Sequence, residues 1–279
     1  MRRVLAVSRS GYYAWISRGP SARDRANAAL LETIRQIHAQ SREAYGAVKT
    51  WYALRDQGIA CGRHRVARLR RLHGIAARRQ RRFKITTHSK HTTWIAPNRL
   101  NGAFHAAGPN RIWVGDITFI ATRTGWLYLA VLLDCYSRKV VGWAMSQAND
   151  TGLVVAALEM AFLQRRPLPG LIHHTDRGST YAAEMYRNRL SSQQALSSMS
   201  RKGNCYDNAV AESFFSTLKN ELLADKRSLS NDQVRSEIFA YIEGFYNRQR
   251  IHATLGYRTP EAFERLPGVS ETGCPSKQG

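Results

Sequence analysis

The chain is short of paired cysteines. Cys61, Cys135, Cys205 and Cys274 are scattered through 279 residues, and no two of them form a Cys-x-x-Cys pair. That excludes a zinc ribbon, and the nine histidines do not rescue a metal knuckle, because no His pair stands at ligand spacing before a Cys pair. Isolated thiols suit a reducing compartment rather than a disulfide framework. Long apolar runs are missing as well. Nothing approaches the roughly eighteen residues of a membrane span, and the basic start at residues 1–7 has too short an apolar stretch for a signal peptide. Negative charge is scarcest of all: twenty acids against 42 Lys and Arg leave +22 and a pI near 10.6. Between Asp56 and Asp116 there is no acid at all. Such an excess repels itself unless a polyanion neutralises it, which makes nucleic acid the expected partner. A basic membrane-surface protein would need a basic amphipathic anchor or an apolar span, and no run approaches roughly eighteen apolar residues. The expectation is a soluble, cytoplasmic, nucleoid-associated protein with no membrane partner.

What is present falls into segments. Residues 1–20 read as a leader with one short helix, ended by Gly19 and Pro20. Residues 21–85 read as a small all-α domain. Ala26, Leu30, Ile34 and Ile37 keep helical spacing over 22–40; Val48, Trp51 and Leu54 do so over 47–55; Val66, Leu69 and Leu72 do so over 63–73, with Gly74 as the stop. The last two helices are joined by a Gly-containing turn, and the second carries Arg63, Arg65, Arg68, Arg70 and Arg71. This fits a helix-turn-helix presented to DNA, with a generic three-helix unit bearing a basic face as the alternative. Arg78, Arg79, Arg81, Arg82 and Lys84 extend the basic run. Residues 86–110, rich in Thr, Asn, Gly and Pro, read as a linker.

From residue 111 the pattern turns to strands. RIWVGDITFIA, WLYLAVLLD and VVGWAM predict three strands joined by short turns, an antiparallel meander. A helix over 151–164, a strand over 170–176 and a helix over 181–190 follow, so the core over 111–265 is a mixed α/β sheet with flanking helices. A helix over 230–246 leads into NRQRIH (247–252), a basic turn that either grips phosphate or caps the helix. The polar 266–279 stretch reads as a flexible tail.

Three acids stand apart from the rest. Asp116 interrupts an apolar strand, where an ionised carboxylate is costly unless it is paired or meets a cation. Asp176 closes the fourth strand, at the sheet edge where α/β folds place ligand crevices. Glu212 lies on an apolar, neutral helix with Val210, Phe214, Leu218 and Leu222 as its packing stripe and Asp207 or Asn208 as N-cap. Lys219 lies on the same face as Glu212, seven residues on, and can meet a phosphate. If the three acids converge, they call for Mg²⁺ or Mn²⁺, and two such ions would drive an in-line phosphodiester displacement. An ordinary solvated glutamate is the plain alternative for Glu212 taken alone. Asp134 reads as a turn cap and Asp150 as a helix cap, while His173 and His174 are proton shuttles or packed strand residues.

The motifs WVGDITFI, LDCYSRKVVGWAMS, HTDRGS, GNCYDNAVAESFFSTLKNE and YNRQRIHATLGYRTP, in this order, resemble the integrase-core region of the second-frame (OrfB) insertion-sequence transposases. Thirty-five residues separate Asp176 from Glu212 (212 − 176 − 1 = 35), the family's second gap. The resemblance covers residues 110 to about 264, and more weakly SRSGYYAW and 41–74. It implies a ribonuclease H-like fold, Asp116, Asp176 and Glu212 as catalytic metal ligands, two Mg²⁺ or Mn²⁺ ions, and transposon DNA as substrate. The implied reaction is strand cleavage at the element's end and transfer of the 3′-OH to target DNA by a homo-oligomer on DNA. Thr180 departs from the glutamine that relatives show in HTDRGSQY. In the family the active enzyme is a frameshift fusion with an upstream-frame subunit, so a DNA-binding regulator or an inactive half is the alternative, beside a nuclease that only hydrolyses.

Overall fold

The computed structural model describes residues 8–78, 94–201, 208–223 and 228–266. Arg79, Arg81, Arg82, Lys84, Cys205, Asp207, Cys274 and nearly all of the 266–279 stretch lie outside the described residues. The chain divides into two compact units, Met1–Ala77 and Arg78–Gly279. No described helix is long and apolar enough to cross a membrane.

The first unit is all helix. α1 (Arg9–Ser17) is capped by Ser8, which accepts from the Gly11 N–H, and it buries none of its residues. α2 (Ala22–Gln40) starts at a reciprocal capping box between Ser21 and Asp24, which satisfies two N–H groups the first turn leaves open. It buries Leu30, Leu31, Ile34 and Ile37; Ala26, expected inward, is exposed. α3 (Ala47–Asp56) and α4 (Arg63–Leu72) pack on α2 and on each other. The Trp51 indole N–H donates to the Cys61 carbonyl at 2.8 Å and pins the turn between them.

The packing of α4 corrects the expected inward set. Leu72 is 64% exposed, whereas Arg70 is only 4% exposed. Around a helix Arg70 stands about 40° from Val66 and Leu72 about 120°, so the 66–69–72 spacing walks off the buried face. The Arg70 guanidinium donates to the Thr50 hydroxyl at 3.0 Å and to the Tyr45 carbonyl at 2.8 Å. Those bonds let a cation sit among apolar side chains.

The second unit is a five-stranded sheet between two helical layers. β1 (Ile112–Thr122), β2 (Gly125–Asp134) and β3 (Val140–Ser146) form the expected meander; β4 (Ile172–Thr175) runs parallel to β1 and β5 (Leu196–Met199) parallel to β4, in the order β3-β2-β1-β4-β5. α5 (Thr151–Arg165), α6 (Ser179–Ala182) and α7 (Glu184–Ser192) cover one face, with Trp113, Leu132 and Val141 against Leu158 and Tyr186. α8 (Ala209–Leu218) and α9 (Asn231–Phe239) cover the other, with Val114, Val131 and Leu133 against Phe214, Leu218 and Ile238. Each fully buried side chain of this size contributes about 1.5–3 kcal/mol, which is why the two apolar stripes fix which helix lies on which face.

Backbone contact sets the layer spacing at one point. A β-carbon on Gly142 of β3 would stand 2.3 Å from the Ala157 carbonyl oxygen and 2.6 Å from Ala161 Cβ, so only glycine lets α5 cross there. Both sheet edges are closed. Asn247 takes the backbone of Val140 on β3, accepting from its N–H and donating to its carbonyl at 3.0 Å each, and Arg235 donates to the Met145 carbonyl at 2.9 Å. Against β5, residues 94–100 play the same part: Ala96 and Leu100 are buried, and the Arg99 N–H donates to Ser198 Oγ at 2.9 Å. The described second half of the expected linker is therefore part of this unit. α10 (Pro260–Glu264) closes the described chain, with Glu264 accepting from Arg165 at 2.8 and 2.9 Å and from Ser137 at 2.7 Å.

Candidate active site

Asp116 lies in mid-β1, opposite Val131 of β2. On the other side of β1 the parallel register pairs Val114 with His174. Two residues further along, the same register brings Asp116 level with Asp176, just past the end of β4, on strands about 4.8 Å apart. Side chains alternate across a sheet, so Asp116 shares a face with Ile112, Val114 and Ile120, which belong to the core under α8. Glu212 stands in the first turn of α8, whose Val210, Phe214 and Leu218 are buried in that same core. Asn208 occupies the N-cap of α8 without a side-chain cap bond.

The electrostatics link the three acids unequally. Burial pushes Asp116 up to about 8, the Asp176 charge adds to this and Glu212 adds less; an Ile117 N–H at 2.8 Å and the Lys219 ammonium pull the other way. By surface area Asp116 is only half-buried, so a ligand can reach a carboxylate that bulk water solvates poorly. Asp176 is raised by burial, offset by the Gly178 N–H donating at 2.9 Å. Glu212 is exposed, and its carboxyl is raised by partial desolvation. Desolvation lowers Lys219, while the Asp116 charge holds it up.

A hard cation would relieve this repulsion, and an all-oxygen donor set suits Mg²⁺ or Mn²⁺. Among the described residues, no three His, Cys, Asp or Glu side chains are placed closely enough to hold an ion. Asp116, Asp176 and Glu212 suit a divalent ion in donor chemistry and charge alone.

Comparison with known proteins decides the family. Integrase core domain families match residues 106–205 and 194–260, and an HTH-like domain family matches residues 24–83. The transposase InsF of insertion sequence IS3A from Escherichia coli K12 is 40% identical over 266 residues, 95% of this chain and 92% of its own length. A 31 kDa protein of insertion element IS600 from Shigella sonnei is 46% identical over 263 residues, 94% of this chain and 97% of its own length. The chain belongs to the insertion-sequence transposase family. Its fold also matches that of a simian T-cell lymphotropic virus intasome chain, at a TM-score of 0.51 and 16% identity, over 88% of this chain and 80% of that one. The expected mixed sheet, preceded by an HTH-like helical unit, is the fold observed.

Other residues of this transposase fall into place around the acids. Asp134 is a turn cap: fully buried, it accepts from the N–H groups of Asn110 at 2.6 Å and Tyr136 at 2.8 Å. Asp150 caps α5 through the Leu153 N–H at 3.0 Å. Both strand histidines are packed. His173 bonds the Tyr186 hydroxyl at 2.9 Å, and burial pushes it down to about 3, so it stays neutral; His174 bonds Ser198 Oγ at 2.8 Å. The His173 ring crosses β1 at Gly115, where a β-carbon would come within 2.8 Å of it, directly beside Asp116. Sequence reading passed over that glycine, although a glycine inside a strand signals close approach. Thr180 lies on α6, half-buried.

The basic residues separate into two groups. On α4, Arg63, Arg68 and Arg71 are exposed, as is Arg78 beyond it, and the half-buried Arg65 donates to Asn27 Oδ1 at 2.8 Å. Arg70 is turned into the helical core and cannot meet a phosphate from the outer face. In NRQRIH, Asn247 is the C-cap residue of the helical segment that ends at Tyr246, as the capping alternative has it, while Arg250 is buried and paired with Glu221 and so cannot grip a phosphate.

Proposed function

We propose that this chain is a DNA strand-transfer enzyme in which Asp116, Asp176 and Glu212 form the reaction centre. Those three carboxylates would hold one or two Mg²⁺ or Mn²⁺ ions, which when bound activate the attacking oxygen and stabilise the leaving one. Asp116 in β1 and Asp176 just past the end of β4 would orient the scissile phosphate through those ions, and Glu212 approaches from α8. Lys219, on the Glu212 face of that helix, neutralises a phosphate oxygen beside the reacting one. In the first step water attacks a phosphodiester at the element's end, leaving a 3′-OH. In the second that hydroxyl attacks a target phosphodiester: a new P–O bond forms, the target P–O3′ bond breaks, the attacking hydroxyl loses its proton and the departing 3′ oxygen gains one. The outer face of α4, through Arg63, Arg65, Arg68 and Arg71, with Arg78, Arg79, Arg81 and Arg82 after it, holds the duplex by its phosphates. Two ends must be joined to one target, so the working form is a homo-oligomer on DNA.

The observation that best supports this reading is positional: Asp116 in β1 and Asp176 just past the end of the parallel β4 lie on the sheet face covered by α8, the helix that carries Glu212. The test is incubation of the purified protein with oligonucleotides ending in the element's own inverted repeats, Mg²⁺ and target DNA. Joined products support the proposal; cut but unjoined ends indicate a nuclease, and complexes without cutting indicate a DNA-binding regulator.

A further inference from the structure

The helix that carries Glu212 does not continue as a regular α-helix. At Lys219 it widens into a π-helical turn, Lys219–Leu223. Such turns are uncommon, need something to hold them open and recur at functional sites. Two side chains flank this one. Asn220, buried, donates its side-chain amide back to the Ser216 carbonyl at 2.8 Å, which also accepts from the Lys219 N–H. Glu221 is gripped from the far side. Arg250 Nε donates to its two oxygens at 3.0 and 2.9 Å, Arg250 Nη2 donates to Oε1 at 2.8 Å, and the Tyr241 hydroxyl donates to Oε2 at 2.7 Å. Side-chain exposure is 10% for Arg250 and 9% for Glu221.

The geometry divides the helix into a working side and a held side. Lys219 comes seven residues after Glu212, within about 20° of the same face, while Glu221 comes nine residues after and points about half a turn away. A pull on Glu221 therefore fixes the rotation of the turn that presents Lys219. A buried ion pair of this kind is weak evidence for stability but sets geometry well, and a bidentate arginine does so better than lysine.

We infer that Arg250 is a positioning residue: through Glu221 it holds open the π-helical turn that aims Lys219 at DNA beside Asp116. The inference rests on the proposed strand-transfer reading and gives Arg250 of the YNRQRIH motif a role beyond the cap that Asn247 supplies.

The test uses the full chain and a labelled duplex ending in the element's terminal repeat. It reads the half-saturating DNA concentration by fluorescence anisotropy, with strand transfer measured in parallel. Replacing the pair together, Glu221→Met with Arg250→Met, leaves no unpaired buried charge and keeps the fold, which the melting temperature checks. The expected result is an increase in half-saturating DNA of about tenfold, matching that of Lys219→Ala alone, with no further loss when the three changes are combined. A purely structural role lowers the active fraction and leaves half-saturation unchanged; that outcome, or independent multiplication of the two effects, overturns the inference. If the double Met variant does not fold, Arg250→Lys is judged by the same two criteria. Asp116→Asn separates this inference from the wider reading. It must bind DNA and fail to join it, and joining by Asp116→Asn sinks the strand-transfer reading whatever Arg250 does.

Discussion

Replacing Asp116 by asparagine should stabilise the metal-free protein at alkaline pH. Asp116 ionises near 3.8 when unfolded and at about 8 when folded, so the fold favours its protonated form. The sign follows from linkage: a group raised on folding contributes its stability below the unfolded value and loses it as pH climbs through the folded one. A shift of about four units at 1.36 kcal/mol each sets a ceiling of about 6 kcal/mol. Because Asp116 is half-buried, solvent relaxation trims this to on the order of 2–3 kcal/mol. An asparagine side chain has the same shape and no charge to desolvate. The assay is guanidinium unfolding of the full chain, stripped of divalent ions, at about pH 5 and about pH 8.5. Wild type should lose about 1–2 kcal/mol relative to Asp116→Asn over that interval, the rest of the loss falling between the unfolded value and about pH 5, and added Mg²⁺ should restore wild type only. Parallel pH profiles for the two proteins would refute the account of Asp116 as a repelled, cation-seeking acid.

Further outcomes follow from particular contacts. Arg68→Ala and Arg71→Ala should each flatten the salt dependence of DNA affinity by about one unit of slope, whereas Arg70→Met should leave the slope alone and cost about 2–3 kcal/mol of stability, read by DNA titrations at several salt concentrations and by denaturation. Gly142→Ala should cost about 3 kcal/mol or more, because its β-carbon meets the Ala157 carbonyl at 2.3 Å; a melting temperature within a degree of wild type would show that α5 does not pack there. His173, pushed down to about 3, should show no ring titration by NMR between about pH 5 and pH 8, and a midpoint inside that interval would contradict its burial against Tyr186.

Much of this was legible in the chain because apolar periodicity is a statement about which surfaces leave water. The β1–β3 meander announced itself through continuous Val, Ile and Leu, which suit a strand buried on both faces. The three acids were conspicuous as charges in apolar settings, and Asp134 and Asp150 as turn and helix caps. Other features depend on partners remote in sequence. Arg70 looks like any other arginine of α4 until the Tyr45 carbonyl and Thr50 hydroxyl are seen to receive it. The polar β5 makes sense only with Ser198 bonded to Arg99 and His174. The π-helical turn after Leu218 has no periodic signature, because a clasp 29 residues away in Arg250 sets it.

The central claim is that Asp116, Asp176 and Glu212 act as one cation site. Electron paramagnetic resonance of Mn²⁺ added to the full chain with an element-end duplex tests it most directly. Wild type should immobilise the ion, and Asp116→Asn, Asp176→Asn and Glu212→Gln should each weaken its binding at least about tenfold, the loss of one charged oxygen ligand. Glu212→Gln binding Mn²⁺ as tightly as wild type would contradict the claim, leaving the glutamate an ordinary exposed residue of α8.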